Sequence, residues 1–264
     1  MRRFPIVLVA LCILGTPLFA ASVLFPKPLH LTREIVDPIT GKTTRVEQYC
    51  LANRVVSVSG SRTVIADYGS SELTEIDRQK GTYSVTPFAS VAAAHPHRAG
   101  ARRSAAGNAA PQLEHRGTDR RAGRNVDLYA ADDASQNLHA EVAVDGSATL
   151  SRDALDVLTG AAYPNDGNAT TDITRAAARR PVATTSAAGV TTNESYGLPI
   201  DQTQRWNVGG RTVTAVNRVT RVGDEVAPPD MLAIPPGARK VDSMIVRTPR
   251  EAGQLDALPG KSQQ

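Results

Sequence analysis

Cysteine is almost absent from this chain, which has two. Cys12 falls inside an apolar run, with Leu11 before it and Ile13-Leu14 after it. A lipid-modified cysteine would follow a small residue and end such a run, so Cys12 reads as part of a removed signal segment. A single thiol, Cys50, is then left, and one cysteine closes no intramolecular disulfide. The fold must stand on its core alone. Cys50 reads as a small core residue rather than a catalytic thiol, because no histidine lies near it in sequence.

Large apolar side chains are scarce too. Aromatic residues make up 4% of the chain, and much of its 41% hydrophobic content is alanine, which buries little area. The core is therefore modest for the length, and part of the chain is expected to stay unstructured. Lysine occurs only at Lys27, Lys42, Lys80, Lys240 and Lys261, so arginine carries the net charge of +4. Such mild basicity suits anionic lipid head groups or cell-wall polymers. No basic stripe with interleaved aromatics appears, which sets nucleic acid aside. The longest apolar stretch, at the start, has about 11–15 residues where a spanning helix needs roughly 20.

That stretch has its own meaning. Arg2-Arg3 is a basic n-region, Phe4–Leu14 a short apolar core, and Gly15-Thr16-Pro17-Leu18-Phe19-Ala20-Ala21-Ser22 ends in small residues suited to cleavage. The cut is expected after Ala20, making residues 1–20 a signal peptide of the general secretion type and the mature protein periplasmic or secreted.

From Leu29 to Phe88 the chain reads as an antiparallel meander. Leu29, Leu31 and Ile35 alternate with polar residues, Asp37-Pro38-Ile39-Thr40-Gly41-Lys42 is a turn, and Thr43–Cys50 continues as a strand. Runs at 53–59, 63–67, 72–77 and 82–88 follow, separated by turns at Ser59-Gly60-Ser61, Tyr68-Gly69-Ser70 and Arg78-Gln79-Lys80-Gly81. Residues 89–124 break the pattern. They are rich in alanine and arginine, have almost no large apolar residue but Leu113, and are expected to form a disordered insertion. The part from 98 to 124 suits contact with an anionic membrane surface, although Glu114 and Asp119 dilute its charge.

Strands are expected again at Val126–Tyr129 and Leu138–Val144. A helix is expected at Ser151–Leu158, with Ser151 as N-cap, and a second at Thr171–Arg180 before Pro181. Residues 182–192 read as loop. Ile200–Val208 and Arg211–Val222 read as a hairpin joined at Gly209-Gly210, and Val241–Val246 as an edge strand. The sheet domain thus comprises 21–88 and 125–247, with an unstructured tail at 248–264.

Constellations for chemistry do not emerge. His95-Pro96-His97 lacks converging ligands. Asp166–Asp172 has its glycine in the wrong place and no closing acid for a calcium loop. Gly69-Ser70-Ser71-Glu72 lacks the second glycine of a nucleophile elbow. Asp132-Asp133 are adjacent and point apart on a strand. Trp206 and Tyr83 read as core or interface residues. No catalytic residue, metal site or cofactor is expected, and nothing in the sequence fixes an oligomeric state.

Two stretches together carry a resemblance. They are Val55–Val85 (VVSVSGSRTVIADYGSSELTEIDRQKGTYSV) and Gly197–Val241, where GLPIDQTQRWNVGG leads into RTVTAVNRVTRVGDEVAPPDMLAIPPGARKV. They resemble the exported sheet domains of the outer-membrane lipoprotein carrier LolA superfamily. The resemblance implies an α+β, mainly antiparallel fold: a curved, incomplete barrel with one or two short helices. It also implies a non-enzymatic function, binding of lipid or of a lipidated protein partner. Val56, Val58, Val64, Val213 and Val219 are the inward-facing residues expected to line the ligand site. The alternative is an envelope protein–protein interaction module with a filled core.

Overall fold

The computed structural model describes residues 23–38, 40–94, 112–133, 137–159, 169–186 and 189–243. The expected signal peptide, the middle of the expected insertion and the tail at 248–264 lie outside these residues. The chain runs β1 (Phe25–Val36), β2 (Thr43–Ala52), β3 (Arg54–Ser59), β4 (Arg62–Asp67), β5 (Glu72–Asp77), β6 (Thr82–Pro87) and α1 (Phe88–Ala94). After 112 come β7 (Leu113–Arg121), β8 (Arg124–Asp133), β9 (Leu138–Leu150), α2 (Arg152–Leu158), α3 (Ala169–Ala178), β10 (Arg179–Ser186), β11 (Gly189–Val208), β12 (Arg211–Gly223), α4 (Pro229–Leu232) and β13 (Arg239–Lys240).

All thirteen strands belong to one sheet, in the order β13-β6-β5-β4-β3-β2-β1-β12-β11-β9-β8-β7, with β10 paired to β11 beside that path. The sheet is curved and open, and does not close into a barrel. Every pairing is antiparallel except that of β13 with β6. Short turns make the meander. Between β1 and β2 the Asp37 carboxylate accepts the Thr40 amide at 2.7 Å, its carbonyl accepts the Gly41 amide at 2.9 Å, and Gly41 takes the left-handed φ of +68° that glycine tolerates.

A broad sheet in a chain poor in aromatics needs cover on both faces. Strand alternation sends Val55, Ala66 and Leu73, which are register partners, to one face. There Ala66 and Leu73 pack against Val91 and Phe88 of α1. Val55, Leu31 and Val219 join Ala154 and Leu158 of α2 in a second cluster. Leu155 of α2 and Ile173 and Ala177 of α3 cover Ala140, Val142 and Val144 of β9 in a third. Ser151 caps α2 by accepting the Ala154 amide at 3.1 Å. Gly197 permits β11 to run tight against β9, since a Cβ there would stand 2.6 Å from Val144 Cγ1.

Four sequence expectations need correction. The two ends of the insertion expected to be disordered over 89–124 are ordered: Phe88–Ala94 is α1, and Leu113–Arg121 is an edge strand paired with β8. An edge strand exposed along most of its length is held by backbone hydrogen bonds, so it needs few large apolar side chains, and its charges suit an edge. Within 182–192, expected as loop, residues 182–186 and 189–192 are paired strand residues of β10 and β11, in which β-branched threonine and valine favour extended backbone. Of the edge strand expected at Val241–Val246, residues 241–243 are not strand and 244–246 lie outside the described residues; the short parallel β13 stands just before it, at Arg239–Lys240. The helices number four among the described residues rather than one or two.

Leu73 is wholly enclosed beneath α1. Leu73→Ala is expected to lower unfolding free energy by about 2–5 kcal/mol in denaturant titration. Amide exchange in α1 should rise more than in α2. Equal exchange in both helices would contradict the separate clustering.

Candidate functional site

The face opposite the helices is covered by the chain itself. After Gly223 the backbone leaves β12, near the middle of the sheet, and must reach β13 at its edge. Those seven strand spacings come to ~33 Å, and about 15 residues extended reach ~50 Å, so the crossing segment has to be largely extended. Pro228, Pro229, Pro235 and Pro236 suit that requirement. This strap, residues 224–238, sets Ala227 and Leu232 against a cluster of Val56, Ile65 and Ile76 with Tyr49, Val58 and Tyr83 at its margin.

Both ends of the strap are tied. At its start, Glu225 Oε2 lies 3.0 Å from Nδ1 of His30, whose Nε2 lies 2.8 Å from Glu47 Oε2. His30 is buried and stacked on Tyr49 at 4.2 Å between ring centroids. Each of its ring nitrogens thus faces a carboxylate oxygen. Thr32 and Arg45 also donate to Glu47, and Arg221 pairs with Glu225. Further along, Arg78 Nη2 donates to the Asp230 carbonyl at 2.6 Å, and β13 is held by the Arg239 amide on the Gly81 carbonyl and the Val241 amide on the Tyr83 carbonyl.

Between these ties the strap roofs an apolar cleft of about 420 Å³, lined by Tyr49, Leu51, Val56, Val226, Ala227 and Leu232, with Arg54 and Asp67 at its polar side. Its volume lies in the range of small-molecule sites. Leu51 and Val226 stand at the mouth, 43% and 55% exposed.

The helix-covered face carries a different feature, a row of polar side chains across four strands. Arg33 of β1 donates from Nε to Gln48 Oε1 of β2 at 2.9 Å and from Nη1 to Asn217 Oδ1 of β12 at 3.2 Å. Asn217 Nδ2 donates to Gln202 Oε1 of β11 at 3.4 Å, and Gln202 Nε2 to Thr174 Oγ1 of α3 at 3.3 Å. Beside this row a second cleft, about 400 Å³, is lined by residues including Ile35, Val36, Asp37, Pro38, Gln202, Ala215 and Asn217, with the Asp37 carboxylate the one acidic side chain in its wall. Burial pushes the Arg33 guanidinium down to about 10. Burial also pushes Cys50 up to about 12, so it stays protonated.

The five valines singled out from the sequence do not share a face. Val56 and Val58 belong with the strap cluster. Val64 packs with α1, and Val219 with α2. Val213 shares strand parity with Val219 and pairs with Trp206, which packs beside α3. Among the other motifs, Asp132 bonds His139 at 2.8 Å, Gly69–Glu72 is the β4–β5 turn, and His95 and His97 lie outside the described residues. The sequence reading missed Arg33 and the strap. Arg33 occupies the apolar parity of Leu29, Leu31 and Ile35, and that interruption was the available signal.

Acid is expected to loosen the strap. Glu225 is held below its ordinary value of 4.5 first by its own backbone amide, then by His30 and Arg221. At Glu47 burial opposes ionisation, but Arg45, Thr32 and His30 together hold the carboxyl below 4.5. Carboxyls with depressed values in the folded state contribute stability that is complete above 4.5 and is lost as pH falls through the lower folded values. Amide resonances of Ala227 and Leu232 should therefore shift and broaden below pH 4.5, with Glu225→Gln removing part of the effect. Unchanged strap resonances down to pH 3 would contradict the tie.

No family model matches the sequence, and no curated protein matches it. Solved structures with a similar backbone course include a conserved protein of Thermus thermophilus, at 10% identity and TM-score 0.41, covering 82% of this chain and 91% of that one. MucB in complex with MucA(peri), proteins of Pseudomonas aeruginosa, matches at 13% identity and TM-score 0.35, covering 80% of this chain and 55% of that one. An outer-membrane lipoprotein-sorting protein domain from Vibrio parahaemolyticus matches at 8% identity and TM-score 0.28, covering 78% and 89%.

Proposed function

We propose that the protein is an exported, non-enzymatic binding protein of the cell envelope, and that the strap cleft takes an acyl chain of a lipid or of a lipidated partner. The observation that carries this reading is an apolar slot of about 420 Å³ with two exposed hydrophobic residues, Leu51 and Val226, at its mouth. Each methylene buried there contributes ~0.8 kcal/mol, enough for a partly inserted chain to bind. Arg54, half exposed beside the slot, is paired with Asp67 at 2.6 Å, and only its remaining N–H groups are left for an anionic head group. The segments Val55–Val85 and Gly197–Val241, on which the resemblance to lipoprotein carriers rests, include Val56 and the whole strap.

Addition of a partner strand is the weaker reading. The free edge β7 carries Glu114, His115, Arg116, Asp119 and Arg120, and charges along an edge oppose pairing with another chain. On the helix-covered side the apolar clusters are built from side chains of the sheet and helices, and the cleft there opens beside polar Gln202 and Asn217. The ligand slot is therefore assigned to the strap side rather than beneath the helices.

Titration of the mature protein with a fluorescent fatty acid is expected to give saturable uptake of one chain per molecule. Val226→Asp and Leu51→Asp change exposed positions, so the circular dichroism spectrum and Tm should hold. Each should weaken uptake at least tenfold, a loss of about 1.4 kcal/mol. No uptake by the unaltered protein would remove the reading.

A further inference from the structure

Among the described residues, buried charges are answered by opposite charges, with one exception. Asp201 has Arg121 at 2.7 Å and Arg218 at 2.9 Å. Asp145 has Arg124 at 3.5 Å, and Glu75 has Arg62 at 3.6 Å. Arg33 is 5% exposed, yet among the described residues no carboxylate lies within ion-pair distance of it. Its two hydrogen-bond partners are neutral amide oxygens, and its Nη2 has none.

A guanidinium holds five N–H groups. Gln48 takes the one on Nε and Asn217 one of the two on Nη1. Three remain, one on Nη1 and both on Nη2, along the end of the fork that a carboxylate grips with two parallel bonds. Enclosing a cation without a counter-charge is costly. The depressed proton affinity of Arg33 is the electrostatic sign of that cost. A methionine or leucine would fill the same strand position, on the parity of Leu29, Leu31 and Ile35, without it. The second cleft supplies a route. Asn217, which accepts from Nη1, also lines that cleft together with Gln202 and Ile35, so Arg33 stands one hydrogen bond behind the cleft wall. Rotation of the Asn217 amide away from Nη1 opens the fork to the cleft, and an entering carboxylate replaces the amide oxygen. The Asn217 and Gln202 amide groups are then free to donate to its second lone pairs.

We propose that Arg33 is the receptor of a carboxylate-binding subsite reached through the cleft between β1 and β12, on the face opposite the strap. The ligand is a monoanionic carboxylate, matched to a single positive charge in an apolar strand position. A fatty-acid head group, an acidic side chain and a chain terminus all present it. This subsite does not depend on the strap cleft.

The test is calorimetric Tm of the whole mature protein at constant ionic strength, with acetate replacing chloride and inorganic phosphate as the contrasting anion. Ligand binding to the folded state alone raises Tm with concentration. Acetate is expected to raise Tm in the unaltered protein and in Val226→Asp, and phosphate to do so less. Arg33→Met should abolish the acetate effect while leaving Tm in chloride equal to or above that of the unaltered protein, because an unanswered buried charge has been removed. A rise with acetate that persists in Arg33→Met marks surface binding and overturns the proposal. So does a larger rise with phosphate than with acetate, and so does a lower Tm in Arg33→Met with no acetate effect in the unaltered protein. Should Arg33→Met fail to fold, the Arg33 Nε–H resonance of the unaltered protein decides. A saturable shift with acetate supports the subsite, and an unmoved resonance refutes it. If acetate binds, decanoate and a short peptide with a free or an amidated carboxyl end separate the sources. A peptide response lost on amidation identifies a chain terminus, and a decanoate response that survives Val226→Asp identifies a fatty-acid head group.

Discussion

The structure depends on one continuous backbone ladder. From β13 to β7 each strand is bound edge to edge to the next, and among the described residues the sheet is open, with β13 and β7 at its two ends. Such a ladder is strong in hydrogen bonds but, as a surface, has two faces to shield. A chain with 4% aromatic residues has limited means for shielding them. The solution is uneven. One face receives helices whose small residues, Ala154 and Ala177 among them, approach the strands closely. The other receives the proline-rich strap, which adds a modest apolar contact at Ala227 and Leu232. Because the strap is thin, an apolar slot remains beneath it, whereas the cleft on the helix-covered face opens beside a polar row.

That asymmetry also explains how charge is distributed. Arg121 and Arg218 meet at Asp201, and His30, Arg45, Arg221, Glu47 and Glu225 form a chain of contacts beside the strap. Several of these groups are half exposed, where ion pairs contribute little individually. Their value lies in fixing where the strap begins. With its N-terminal end tied at His30 and its C-terminal end hydrogen-bonded to β6, the segment between has few ways to lie across the sheet.

Local features were legible in the sequence. The meander from β1 to β6 followed from β-branched runs broken by Gly60, Gly69 and Gly81, and α2 from Ser151 and the spacing of Leu155 and Leu158. These elements are set by neighbours in the chain. Facing was less legible. Alternation separates Val56 from Val55, but when both are buried, as here, it does not tell which faces helices and which faces the strap. Choosing Val56 and Val58 together with Val64 and Val219 mixed the two sides for that reason. β7 was missed because an edge strand held by its backbone has no apolar signature. The strap was missed because Pro228–Ala238 has no periodicity; its position follows from where β12 and β13 sit in the ladder, a relation between residues far apart.

The polar row shows what an alternation pattern contains beyond secondary structure. Arg33 interrupts Leu29, Leu31 and Ile35; Gln48 interrupts Val46 and Cys50; Asn217 lies between Val213 and Val219. Read one strand at a time, each interruption is a minor irregularity, and single polar residues in a strand are common. The register places them side by side, β2 next to β1, β1 next to β12 and β12 next to β11, so that three irregularities and Gln202 become one connected row. Packing alone would favour apolar residues at these positions, since a buried network gains only what its hydrogen bonds return over desolvation. This row is not fully satisfied: the cation at its centre has neutral partners and a free nitrogen. A structural network improves by completing itself, and a single glutamate in place of Gln48 would bring the missing charge with little change in shape. A neutral glutamine at that position keeps Arg33 from being satisfied internally, as a site that must accept an outside anion requires.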